Sequence, residues 1–253
     1  MGILGVGHHF TWWGPEPPRD PAALVLRIEF VKGMSLSDRL HLAVPDISVY
    51  GDGRVVTTAT DLTRMPARNV VHDQRLTRLA YRQVYRDAHL AGLALSRTFH
   101  SEEQISDGGT TVITLLAGER RQISTVHVGA GGARVWLIDR LIARLRSLPR
   151  GDLAAAPVPY RPARMAIVAW RAPESSTGSS PDMGNPTLPW PLRPLQAGQQ
   201  ETCAVLAGVE AEAATGLASA ASPNTRWRSG PDLFTVVFRP LLPDEKDCTS
   251  VTR

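Results

Sequence analysis

Lysine is almost missing from this chain. Only Lys32 and Lys246 are lysine among the 28 basic residues, and the rest are arginine, which stays charged and makes forked contacts to carboxylates and phosphates. Against them stand 24 acidic residues, so the net charge is only +4. The arginines are spread from Arg19 to Arg253, often beside an acid as in Arg86-Asp87 and Glu119-Arg120. A nucleic-acid surface gathers its charge on one face, so this distribution argues against a nucleic-acid partner. Cysteine is scarce too. Cys203 and Cys248 cannot form a tetrahedral thiolate site for a metal, and they are not a CxxC pair. Their spacing leaves two states open, one disulfide across the C-terminal part or two free thiols. No apolar run approaches the ~18–20 residues that a membrane-crossing helix needs. The N-terminal stretch lacks a basic region, and His8-His9 interrupts its apolar residues after Val6, so it does not read as a signal peptide. A genuine start at Met1 would place the chain in the cytoplasm.

What is present describes a soluble globular protein. The chain has 253 residues, 43% of them hydrophobic, enough for one large domain or two small ones. Residues 1–21 read as an irregular tail broken by Pro15, Pro17, Pro18 and Pro21, with Trp12-Trp13 available to anchor it. In Leu24–Val31, Leu24, Leu26, Ile28 and Phe30 alternate with Val25, Arg27 and Glu29, the period of a half-buried strand. Two β-rich arms, Ile47–Tyr50 and Arg54–Val56, flank Gly51-Asp52-Gly53, a tight hairpin turn. A helix is expected from Asp73 as N-cap to Ala91, with Leu76, Leu79, Ala80, Val84 and Ala88 on one face and Gly92 stopping it. A second hairpin runs through Thr110–Leu115 and Gln122–Val128. The strongest helix, Val135–Leu148, carries an apolar stripe of Leu137, Ile138, Leu141, Ile142, Leu145 and Leu148.

Beyond a Pro- and Ala-rich crossing segment, Arg164–Trp170, Thr202–Leu206 and Phe234–Arg239 read as strands, and Val209–Ser219 as an alanine-rich helix. Residues 173–200 hold six prolines, three glycines and four serines, an irregular excursion of the length associated with function or disorder. The pattern is not a βαβ alternation, so the fold class is α+β: a hairpin-rich antiparallel sheet with packed helices. The expected parts are 22–150 and 160–253, forming separate sheets or sharing one.

The segments LVLRIEF, ISVYGDGRVV, TTVITL and WRSG…VVFRPLLPDEKDC, spread over residues 22–250, resemble a group of uncharacterised actinobacterial proteins. Many of those begin with a secretion or lipoprotein signal. The resemblance implies a location outside the cytoplasm and a Cys203–Cys248 link. This chain departs from it in lacking the signal and the lipid-bearing cysteine.

Few residues suggest chemistry. Gly129-Ala130-Gly131-Gly132 lies between a strand and a helix, where backbone N–H groups can cradle an anion, and Arg134 at the helix entrance could add to it. The G-x-G-x-x-G spacing is absent, because Arg134 stands at the third glycine, and a turn that lets the helix start explains the run equally. Asp52 is accounted for by its turn. The histidines show no H-E-x-x-H and no i,i+4 pair, so no metal site is expected. His127, in a strand leading to the glycine-rich turn, could serve as an acid or base if its ring faced a cleft. There is no G-x-S-x-G elbow. Trp170, Trp190 and Trp227, the last flanked by Arg226 and Arg228, could line an apolar or sugar-like pocket or simply close a core. The leading expectation is a non-catalytic binding or interaction protein of the actinobacterial cell envelope, with an unidentified protein or small-molecule partner. The alternative is a metal- and cofactor-independent enzyme of the lyase or cyclase type, shaping an apolar substrate between the tryptophans with His127 or Asp52 moving a proton. An arginine-based anion binder is the third.

Overall fold

The computed structural model describes residues 15–31, 33, 42–63, 67–101, 105, 108–172, 186–196, 201–222 and 224–251. Its helices and strands form an α+β fold with two separate, mostly antiparallel sheets. The larger sheet contains β1 (Leu24–Val31), β2 (Ile47–Tyr50), β3 (Arg54–Asp61), β4 (Arg68–Arg75), β5 (Arg97–Phe99), β6 (Thr110–Ala117), β7 (Arg120–His127) and β8 (Val158–Pro159), in the order β5-β7-β6-β1-β2-β3-β4-β8. One face is apolar and packs on α1 (Arg78–Leu90) and α2 (Ala133–Arg146). Leu26, Ile28, Ile47, Val49, Val55, Ile113 and Leu115 meet Val84 and Ala88 of α1 and Ile138, Leu141 and Leu145 of α2 in one core. Pairing between β1 and β2 shifts register between Leu24 and Leu26. Leu24 therefore joins a second apolar cluster, with Tyr50, Val56 and Leu242.

The helix expected from Asp73 starts later. Asp73 belongs to β4, where both its carboxylate oxygens accept from Arg54. The cap is Thr77, whose Oγ1 accepts from the Ala80 N–H at 3.2 Å. Ala80, Val84 and Ala88 are buried as expected and are joined by Tyr81 and Tyr85, whereas Leu79 is 74% exposed. Arg68–Arg75 is polar and carries only two adjacent valines, so its strand character comes from its partners. It pairs with β3 along its whole length and with β8 at His72 and Asp73.

The smaller sheet contains β9 (Arg164–Arg171), β10 (Thr187–Pro189), β11 (Thr202–Ala207), β12 (Arg226–Ser229) and β13 (Asp232–Pro240), ordered β10-β12-β13-β9-β11. Met165, Ile167, Ala169, Trp227, Phe234 and Val236 turn one face onto Ala211 and Ala214 of α3 (Val209–Ala220). Residues 186–196 of the irregular excursion lie along this sheet as β10 and its sequel. Its remaining residues 173–185 and 197–200, with Ser175, Ser176, Ser179 and Ser180, lie outside the described residues, as do His8, His9, Trp12, Trp13 and His41. Among the described residues no helix is long and apolar enough to cross a membrane.

The sheets are joined by the segment after β13. Leu241 is buried with Ala166 and Val251 beside the smaller sheet, whereas Leu242 is buried against Leu24, Tyr50 and Val56 of the larger one. Fully burying a leucine contributes about 1.5–3 kcal/mol, so neighbouring residues tie the segment down on opposite sides. Cys203 and Cys248 form a disulfide, with 6.0 Å between their Cα atoms, that holds the segment to β11. Of the two cysteine states open in the sequence, the structure has the bridged one. A bond closing a loop of this size contributes about 2–4 kcal/mol.

Leu141 is 2% exposed in the main core. Leu141→Ala is expected to cost about 2–5 kcal/mol in denaturant unfolding, and an unchanged transition would contradict this packing.

Candidate functional site

An open cleft arises from a mismatch in side-chain size between the sheets. The side of α3 toward the cleft carries the small residues Thr215 and Ala218, followed by Ala221 at its C-cap. Across from them stand Trp227, Val236 and Phe238 of the smaller sheet, and Val71 and Tyr160 from the edge of the larger one. Small residues opposite large ones leave space, here an open cleft of about 800 Å³ between the two sheets. That lies in the range of about 300–1,000 Å³ typical of ligand sites, which are mostly apolar with a few placed polar groups. Its polar side chains include Asp61, Arg68, Asn69, Thr215, Ser219 and Ser222. Arg68 donates to the Ser219 carbonyl at 2.6 Å, bridging the cleft between β4 and the last turn of α3, where a positive charge complements the helix end.

Aromatic side chains back the cleft. Trp227 meets Trp190 edge-on at 5.3 Å and Phe238 at 5.9 Å. The structure thus brings two of the three singled-out tryptophans together, but on different walls. Trp227 lines the inter-sheet cleft, while Trp190 lines a smaller cavity of about 180 Å³ with Leu192, Leu195 and Leu206. The Trp190 indole N–H donates to the Arg193 carbonyl at 2.8 Å. Trp170 lies one residue beyond Ala169 in β9, and alternation sends it to the opposite face of the sheet. Phe238 takes the third aromatic place. Its alternation with Phe234 and Val236 was the available signal.

A seam of charged groups seals the sheets beside the cleft. Asp244 accepts at Oδ1 from the Arg27 guanidinium and from the Tyr50 hydroxyl, each at 2.8 Å. Arg239 pairs with Glu245 at 2.8 Å, the two side chains being only 3% and 5% exposed. The second Glu245 oxygen accepts from the Leu242 N–H. Removing one partner of such a buried pair strands the other's charge, at a cost of about 3–5 kcal/mol. Burial, with the Asp244 carboxylate beside it, holds the Tyr50 phenol well above its ordinary value. Burial also pushes Tyr160 up to about 12, so neither phenol is a proton donor of use near neutrality. Arg54 lies over the Tyr160 ring at 5.4 Å. The seam pairs its charges with one another, leaving the Arg239 Nε as a buried donor unpartnered among the described residues, and has the character of a joint.

The remaining candidates are dispersed. Asp52 accepts from the Arg54 N–H at 3.0 Å and from Arg75 at 2.5 Å, both of which fix its turn. His127 stacks on His100 with ring centroids 5.2 Å apart and lies 3.5 Å from the Thr110 hydroxyl. It lines none of the cavities described here, and Asp52 and Trp227 do not share one. Arg134 lies across Gly92 just past the end of α1, close enough for its Cδ to sit 3.3 Å from where a Cβ would be. Among the described residues no group of three or more His, Cys, Asp and Glu is placed to hold a metal.

No family model matches this chain. No curated protein or solved structure matches it either.

Glu29 beside the seam is titratable at an accessible pH. Burial raises its carboxyl above the ordinary value of 4.5, against the opposing pull of Arg27. A raised carboxyl favours the fold while protonated, so its contribution is full below pH 4.5 and is lost as pH rises through the folded value. Glu29→Gln is therefore expected to melt above the parent at pH 7, with the gap closing on acidification; an equal gap at every pH would contradict this.

Proposed function

We propose that this protein is a non-catalytic binding protein of the cell envelope, and that it takes an apolar small molecule into the cleft between its two sheets. The observation that carries the reading is the cleft itself, about 800 Å³, apolar over most of its lining and rimmed by a few polar groups. Its floor is preformed, since Trp227 is buried to 2% exposure and braced by Trp190 and Phe238. A rigid aromatic floor lowers the ordering cost of binding. The dispersal of His127, Asp52 and the tryptophans favours binding over proton-transfer chemistry, which needs the acid or base within hydrogen-bond reach of the substrate. The setting outside the cytoplasm is supported by the Cys203–Cys248 disulfide, a bond that persists in oxidising compartments. It is also the location implied by the likeness to actinobacterial proteins with export signals.

The uncharged fluorophore Nile red tests the cleft. The parent chain is expected to bind it saturably. Ala218→Phe, which fills the cleft from the inner side of α3, should weaken binding at least about fivefold, while Ala213→Phe on the exposed side of the same helix should not. Equal binding by the two variants, or no saturable binding by the parent, would overturn the reading. The compartment is tested separately by thiol titration of protein recovered from its source without reductant. No free thiol is expected, and two would contradict the envelope assignment.

A further inference from the structure

A second cleft, of about 410 Å³, lies where the hairpin turn Gly51–Gly53, the end of β4, the first turns of α1 and tail residues 16–19 meet. Four guanidinium groups line it, those of Arg19, Arg75, Arg78 and Arg82, against the two carboxylates of Glu16 and Asp52. The lining therefore carries a surplus of two positive charges, in a protein whose arginines are elsewhere interspersed with acids. We propose that this cleft binds a small phosphate-type oxyanion, and that Glu16 occupies the place of that anion until one arrives.

The pairing within the cleft separates its fixed members from its available ones. Asp52 is committed, with one oxygen on the Arg54 N–H and the other on Arg75 at 2.5 Å. Glu16 is held by Arg19 at 2.5 Å and by Arg82 at 3.2 Å, but its side chain is 62% exposed. Exposed pairs of this kind contribute only about 0.2–1 kcal/mol, so a better anion can displace them. Arg78 has no carboxylate partner among the described residues. It opens α1, whose first turn holds no acid at all, although negative groups are the ones that a helix start favours. A sequence that breaks a local preference at a cleft marks a functional place better than one that breaks it on open surface.

The walls, by contrast, are fixed. A Cβ on Gly51 would come within 2.2 Å of the Asp20 carbonyl oxygen, so only glycine lets the tail lie against the turn. The Gly51 N–H bonds the Ala23 carbonyl at 3.1 Å, and the Tyr81 hydroxyl bonds the Pro18 carbonyl at 2.6 Å. A phosphate placed between Arg78 and Arg82 would meet two forked donors, the geometry in which arginine binds oxyanions most strongly. The site stands apart from the inter-sheet cleft and does not depend on the function proposed for it.

Isothermal titration of the full chain at constant ionic strength provides the test, using pyrophosphate, orthophosphate and glycerol 3-phosphate. Saturable binding is expected, tighter for glycerol 3-phosphate than for orthophosphate if the ligand is an ester and the reverse if it is the free ion. Glu16→Gln should tighten binding at least about threefold, and Arg78→Gln with Arg82→Gln should weaken it at least about tenfold. Arg161→Gln, an exposed arginine outside the cleft, should change nothing. Should the double variant fail to fold by circular dichroism, the Glu16→Gln result decides alone. Absence of saturable binding to all three anions, no gain in Glu16→Gln, or equal weakening in Arg161→Gln would overturn the proposal.

Discussion

The buried carboxylate of Asp244 is the polar anchor by which the segment after β13 grips the larger sheet. Asp244 receives Arg27 from β1 and Tyr50 from β2, partners 217 and 194 residues away in the chain. The three groups sit on the outer face of a sheet whose inner face is an ordinary apolar core. Arg27 needs Asp244 because burial works against its charge; the attraction of Asp244, joined by Tyr50, Glu245 and Glu29, together outweighs that burial and leaves the pKa raised. Asp244 needs the donors for the same reason in reverse. The neighbouring Arg239–Glu245 pair and the knob of Leu242 lie in the same segment, and the cleft beside it has walls that belong to different sheets.

The joint also explains why two short motifs stand out in the sequence. Tyr50-Gly51-Asp52-Gly53-Arg54 and Arg239-Pro240-Leu241-Leu242-Pro243-Asp244-Glu245 are distant in the chain, yet the Tyr50 hydroxyl donates to Asp244. Within the first motif Gly51 admits the tail, Gly53 takes a φ of +80°, and Arg54 anchors Asp73. Within the second, consecutive leucines face opposite sheets while Glu245 neutralises Arg239. Their composition reflects assembly, which is why they suggested no chemistry when read alone.

The strands with clean alternation, β1, β2, β6, β7 and β13, were legible in the sequence, as was α2 with its apolar stripe. β4 was not, since RNVVHDQR has neither alternation nor a solid apolar run, and only its neighbours β3 and β8 make it a strand. Asp73 imitated a helix cap because its side chain has the right chemistry; its actual use, gripping Arg54, depends on a pairing invisible along the chain. The inter-sheet cleft was half legible. Trp227 and the alanine-rich α3 were noted separately, but nothing in the sequence placed one opposite the other. Arg27 and Glu29 were harder still, because in an alternating strand they look solvent-facing, and the cover over them is supplied from the far end of the fold.

That distance shapes the order in which the molecule can be completed. Synthesis runs from β1 toward Asp244, so Arg27 and Tyr50 of the outer face leave the ribosome 217 and 194 residues ahead of the carboxylate that covers them. A nascent chain can close the helical side of its first sheet early, from sequence-local contacts. Its other side stays wet until the last strand of the second sheet has been made and its trailing residues can fold back. The protein is thus finished like a buckled strap, with the tongue arriving last and the disulfide keeping it in place.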